Sequence, residues 1–99
     1  METVRFTAAL AILDDARHLL GVNRWASAIS RAYYCSYQAI RTGPGLLEHL
    51  RRPLQWLYQK RLDVDYDIRP VTSATAVRAV DIAVQVCQEI QQRSGGLAP

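Results

Sequence analysis

Arg31 and Gln38 stand seven residues apart within Ser30-Arg31-Ala32-Tyr33-Tyr34-Cys35-Ser36-Tyr37-Gln38, and their types suit a phosphate and its neighbouring hydroxyl. Arginine carries a planar fork of N–H donors that fits phosphate oxygens. Glutamine both donates and accepts a hydrogen bond but does not titrate. In a helix, seven residues turn through ~700°, so the two side chains share a face. Tyr34 and Cys35 fall between them at the third and fourth positions, which places them on the same side. Arg24 joins Arg31 as a candidate phosphate anchor, with Tyr34 supplying a hydroxyl. An equally open reading makes Arg31 an interface arginine that pairs across a dimer with Asp65 or Asp67.

The other chemically able residues are less well organised. Tyr33, Tyr34 and Tyr37 are expected to point three ways around one helix, as core residues with a single hydroxyl near a cleft, and not as one stacking platform for bases. The basic pairs Arg51-Arg52 and Lys60-Arg61 either flank a nucleic-acid groove or solubilise one helix. Asp63, Asp65 and Asp67 alternate but lack the glycine and terminal glutamate of a calcium loop. Asp65 is expected to hold an arginine and the other two to be solvated. No metal or cofactor is expected. His18 and His49 have no sequence relation to Arg31. Cys35 and Cys87 form no CxxC, so small buried thiols are expected in place of a zinc site or disulfide framework; Cys35 beside Arg31 is a weaker candidate thiolate. No phosphate-binding glycine loop or Ser/His/Asp arrangement is present.

Helices must position these groups. Phe6, Ala9, Leu10, Leu13, Ala16 and Leu20 recur at helical spacing over residues 3–20, ending near Gly21. Asn23 can cap a second helix over about 24–42, with Trp25, Ala28, Ile29, Ala32, Ser36, Ala39 and Ile40 on one stripe. Its small residues would let a neighbour approach closely. Thr42-Gly43-Pro44-Gly45 breaks that helix, and a short helical piece spans Leu46 to Leu50. Pro53 fits the first turn of a third helix to about Arg61. Residues 62–71 read as a loop. Thr72 or Ser73 caps a last helix to about Arg93, with Val77, Val80, Ala83, Val84, Cys87 and Ile90 inward. The expectation is an all-α, up-and-down four-helix bundle. Ala79, Ile82 and Val86 widen the apolar face of the last helix, which suggests a second buried surface and hence a homodimer.

With 99 residues, the chain is read as one domain, with its core over about 4–92 and a frayed tail over 94–99. A hydrophobic fraction of 49% with 21% charge excludes a disordered chain. No apolar run approaches the ~18 residues of a membrane span and the N-terminus has no signal pattern, so a cytoplasmic protein without membrane contact is expected. Residues 24–61 hold seven basic residues against one acid, Glu48, within a net charge of +3. Such a concentration suits a polyanion or nucleotide phosphate; a merely solvated basic face is the competing reading.

Ser30-Arg31-Ala32-Tyr33-Tyr34 with Tyr37, followed by Arg61-Leu62-Asp63-Val64-Asp65-Tyr66-Asp67, resembles the HEPN family (higher eukaryotes and prokaryotes nucleotide-binding domain). The two motifs together carry the resemblance, which covers roughly residues 4–92 in outline. It implies an all-helical HEPN-like fold of toxin–antitoxin or defence type. Many members are metal-independent endoribonucleases, and a dimer brings two Arg-x4–6-His motifs to one cleft. A minimal nucleotidyltransferase antitoxin is the partner implied. Arg31 stands at the motif arginine, which would hold the scissile phosphate. Gln38 stands where the histidine belongs, so the acid–base half is missing. Asp65 and Tyr66 would be retained as a structural motif. The reading is therefore a non-catalytic or weakly active module that binds RNA, a nucleotide or a partner protein. Its alternatives are a ribonuclease using Arg31 at a dimer cleft, with Gln38 orienting the 2′-hydroxyl, and a helical adaptor with no nucleic-acid role.

Overall fold

Small side chains on two helices decide how this chain assembles. The computed structural model describes residues 3–42, 48–66 and 70–95. Over them it is all-helical, with α1 at Thr3–Gly21, α2 at Trp25–Thr42, a 3-10 turn at Glu48–Leu50, α3 at Arg51–Asp65 and α4 at Ser73–Gly95. No strand occurs among the described residues. α2 buries Ala28, Ala32, Ser36 and Ala39, and α4 buries Ala76, Ala79 and Ala83. Side chains of that size let helix backbones approach closely. Accordingly α4 packs on α2 more extensively than α3 does, and α1 lies along α2 while also touching α4. α2 is the shared spine of a bundle measuring 45 × 26 × 18 Å. Ile29, Leu50, Leu57, Val86 and Ile90 are the largest fully buried apolar side chains around it.

The ends of the helices show which local signals won. Asn23 does not cap α2. It adopts φ 63 and closes α1: its N–H bonds the Leu20 carbonyl at 3.2 Å, and the Arg24 N–H reaches the Leu19 carbonyl at 2.9 Å. This pair of bonds around a left-handed residue is a Schellman ending, a place where asparagine substitutes for glycine. At the far end, Thr72 Oγ1 accepts the Thr75 N–H at 3.1 Å, so the expected threonine cap of α4 is present. α4 itself extends to Gly95.

α3 departs most from expectation. Its start at Arg51 puts Pro53 in the first turn as expected, but it runs through Asp65 where a loop is expected. The aspartates are helix residues here because each finds a partner one turn back. Gln59 donates to Asp63 at 3.1 Å, Lys60 lies 3.7 Å from Asp63, and Arg61 pairs with Asp65 at 3.2 Å. Pairs at this spacing support a helix. Asp63 is buried, not solvated.

α4 also corrects an expectation. Ala79, Ile82 and Val86 are buried within the chain, while Val77 is exposed. The wide apolar face is covered by α2 and α1 together, so it supplies no argument for a dimer. Among the described residues no buried side-chain nitrogen or oxygen lacks a partner; Ser36 and Thr42 donate to the Ala32 and Ala39 carbonyls at 2.9 and 2.7 Å. None of the described helices is long and apolar enough to cross a membrane. The break at 43–45, the start of the short helical piece at 46–47 and Asp67 lie outside the described residues.

Candidate functional site

Because α2 turns its alanine stripe inward, its opposite face is left to solvent, and that face is unusual in composition. The helix contains no aspartate or glutamate. Ser27, Ser30, Arg31, Tyr34, Tyr37, Gln38 and Arg41 follow one another at helical spacing along it.

The first turns of α2 open onto a groove of about 460 Å³, lined by Leu19 of α1, Ala26, Ser27, Ser30, Arg31 and Tyr34 of α2, and Val64 of α3. Arg31 is exposed and has no ion-pair or hydrogen-bond partner among the described residues. The first helical bond of α2 runs from the Ala28 N–H to the Arg24 carbonyl at 2.9 Å. The N–H groups of residues 25–27 stand ahead of it, where a helix cannot satisfy its own donors and its dipole is positive. No acid sits in that first turn to offset it. The groove thus gathers a free guanidinium, two serine hydroxyls, a phenol and a helix N-terminus, a set suited to an anion such as phosphate.

The other expected site residues distribute around this groove in ways the sequence only partly foretells. Arg24 is exposed just ahead of α2 but does not line the groove. Gln38 shares the face of Arg31, two turns and ~10 Å further along, and does not line it either. Cys35 turns inward instead: its Sγ lies 3.3 Å from Cys87 Sγ, both buried. The contact with Cys87, followed by burial, holds the Cys35 thiol well above its ordinary pKa, the reverse of an activated thiolate. His49 hydrogen-bonds Glu89 of α4, and His18 is exposed near the end of α1. Neither histidine lines the Arg31 groove.

Lys60 and Arg61 do not act as a pair. Lys60 faces Asp63 and lies 5.7 Å from the Trp56 ring centre, whereas Arg61 crosses to α2. Its guanidinium sits 4.8 Å over Tyr33 and 5.4 Å over Tyr34, donates to the Tyr34 hydroxyl at 3.5 Å, and is paired with Asp65. Asp65 therefore does hold an arginine, on its own helix and not on α2. Tyr66 ends α3, with its N–H on the Leu62 carbonyl at 3.0 Å, and is 72% exposed.

The tyrosines overturn the expectation of three directions. Tyr33 and Tyr37 are stacked with centroids 6.3 Å apart, Tyr34 meets Tyr33 edge-on at 5.8 Å, and Tyr58 of α3 lies 5.8 Å from Tyr33. Positions 33, 34 and 37 span only ~100° of a helix circumference, so one side of α2 holds them all. More than half of this surface is covered, as expected, but Tyr34, Tyr37 and Tyr58 still show 43%, 46% and 46% of their area. Ser27, Ser30, Arg41 and Tyr58 are site residues that residue type alone does not single out. Counting four back from Arg31 finds Ser27, and three on from Ser27 finds Ser30; Tyr58 needs the placement of α3.

Comparison with models of known protein families, with curated proteins and with solved structures finds no match to this chain.

Proposed function

We propose that this chain is a non-catalytic HEPN-type module that binds RNA or a nucleotide through its phosphates at the Arg31 groove. One observation carries the reading: Arg31 stands unpaired among the described residues, on an open groove at the N-terminal turn of α2. A guanidinium that finds no internal carboxylate, beside hydroxyls and free helix donors, is complementary to a phosphate. The basic middle of the chain extends the same field. Neither histidine lines this groove, which argues for binding over hydrolysis, since cleavage through the ribose 2′-hydroxyl needs a group to move its proton. A homodimer or an antitoxin partner remains part of the family likeness and is not required for phosphate binding.

The test is fluorescence anisotropy of a labelled RNA against salt concentration, with cleavage followed on a gel in the same samples. The native chain should bind with an affinity that falls steeply as salt rises. Arg31→Ala should weaken binding and lower the slope of log affinity against log salt by about 1. RNA should stay intact with the native chain and with Gln38→His, because position 38 stands away from the groove. Salt-independent or absent binding would leave the adaptor reading in place. Cleavage lost in Arg31→Ala would establish the ribonuclease.

A further inference from the structure

A second groove, of about 440 Å³, lies between α2 and α3, and its walls are Tyr33, Tyr37 and Ile40 on one side and Leu54 and Tyr58 on the other, with Arg51 at its edge. It differs from the Arg31 groove in being mostly apolar and aromatic. The two are divided by Arg61, which lies over both Tyr33 and Tyr34; Tyr34 lines the first groove and Tyr33 the second. Arg41 covers the outer edge, its guanidinium 5.4 Å over the Tyr37 ring, and has no carboxylate partner among the described residues. Arg51 is engaged by Glu48 at 3.2 Å. Along α2 the order is therefore free cation, aromatic rings, free cation, with Arg31 and Arg41 separated by ten residues, or ~15 Å of helix.

From this order we infer that the α2–α3 groove is a base-stacking subsite, occupied by a nucleobase of the same RNA whose phosphates lie on Arg31 and Arg41. The inference rests on the phosphate-binding reading above and adds the part of the ligand that reading leaves open. Charge selects this occupant: a strand laid along α2 meets cations at both ends and no acid on the helix. Shape selects it too. Tyr37 and Tyr58 stand nearly half exposed on either side of an apolar floor, and flat rings against flat rings are how single strands are held without sequence preference. Bases in a duplex are already stacked and paired, so such a groove takes unpaired bases and discriminates against a double strand.

The experiment uses the full chain and a labelled single-stranded RNA of about ten nucleotides, beside the same strand annealed to its complement. The single strand should bind at least ~10-fold more tightly than the duplex, given that a stacked base contributes substantially to affinity. Tyr37→Leu combined with Tyr58→Leu should weaken single-strand binding by roughly 5- to 150-fold while the salt slope stays unchanged. Tyr37→Phe, which keeps the ring, should bind as the native chain does. Equal binding of both forms, or a double variant that binds normally, would overturn the subsite. In that case an effect of Arg31→Ala on both RNA forms would leave the phosphate reading standing. No binding of either form by the native chain would overturn both. Sedimentation of the native chain as a dimer that the tyrosine variants dissociate would assign the groove to a second copy and overturn the inference. The strand-against-duplex comparison needs no variant, so a misfolded double mutant would not shelter it.

Discussion

Arg31 and Cys35 are four residues apart on one helix and have opposite fates. Arg31 keeps its charge in solvent, on a groove without a carboxylate among its lining residues. Cys35 spends its side chain on Cys87, 3.3 Å away in the core. The boundary between site and interior runs between these two positions, which the helical spacing alone places on one side. It has a chemical consequence. The Cys87 contact and burial push the Cys35 pKa up while the same contact holds that of Cys87 down, so Cys35 is the sulfur that keeps its proton, and burial keeps reagents from both. Treated with a chromogenic disulfide, the native chain should release no thiol signal, even when the pH is raised to 9.0, the ordinary thiol value. Two equivalents should appear once denaturant is added, one for each cysteine. A rapid native-state reaction that grows with pH would show that the pair is open to solvent.

At the scale of the helices, the chain's punctuation is written by single residues whose role depends on which side of a boundary they act. Asn23 precedes α2 and has the residue type of an N-cap, yet its φ of 63 makes it the left-handed end of α1. A side chain with a Cβ but no local hydrogen-bonding group is penalised in that conformation. Asn23→Ala should therefore cost about 1 kcal/mol in urea unfolding, while Asn23→Gly should leave stability within ~0.5 kcal/mol of the native chain. Asn23→Ser separates the two roles: serine caps a helix as well as asparagine does but has less preference for the left-handed conformation, so it should lose stability here and would keep it if the side chain capped α2. The elements with long apolar periods were legible: Phe6, Ala9, Leu13 and Ala16 are buried on α1 as their spacing predicts, and Thr72 caps α4. The end of α3 was not, because aspartates at alternate positions signal a loop until Gln59, Lys60 and Arg61 are seen one turn back. The tyrosine cluster was hidden for a different reason. Half of it is intrinsic to α2 and follows from 33, 34 and 37 sharing an arc, but Tyr58 and Arg61 come from α3, and their approach depends on packing that no local pattern records.

For the molecule as a whole, the decisive feature is that α2 serves twice. Its inner face is touched by every other helix, and its outer face carries the groove, the rings and the unpaired arginines. The same helix that holds the bundle together is thus the one whose surface is least neutralised. A helix of this kind would ordinarily gain from an acid in its first turn and from a carboxylate four residues ahead of an arginine. Position 27 satisfies both conditions, being in the first turn of α2 and four before Arg31, and it holds serine. The replacement Ser27→Glu should raise stability by about 0.3–1 kcal/mol, through the dipole and the new pair. It should also place a negative charge in the groove and weaken RNA binding, read as a higher melting midpoint together with lower anisotropy at fixed RNA. Stability gained with binding unchanged would mean that the groove is not where the anion sits. The serine at position 27 is then a stabilising ion pair forgone, and the vacancy it leaves is what keeps Arg31 available to something outside the chain.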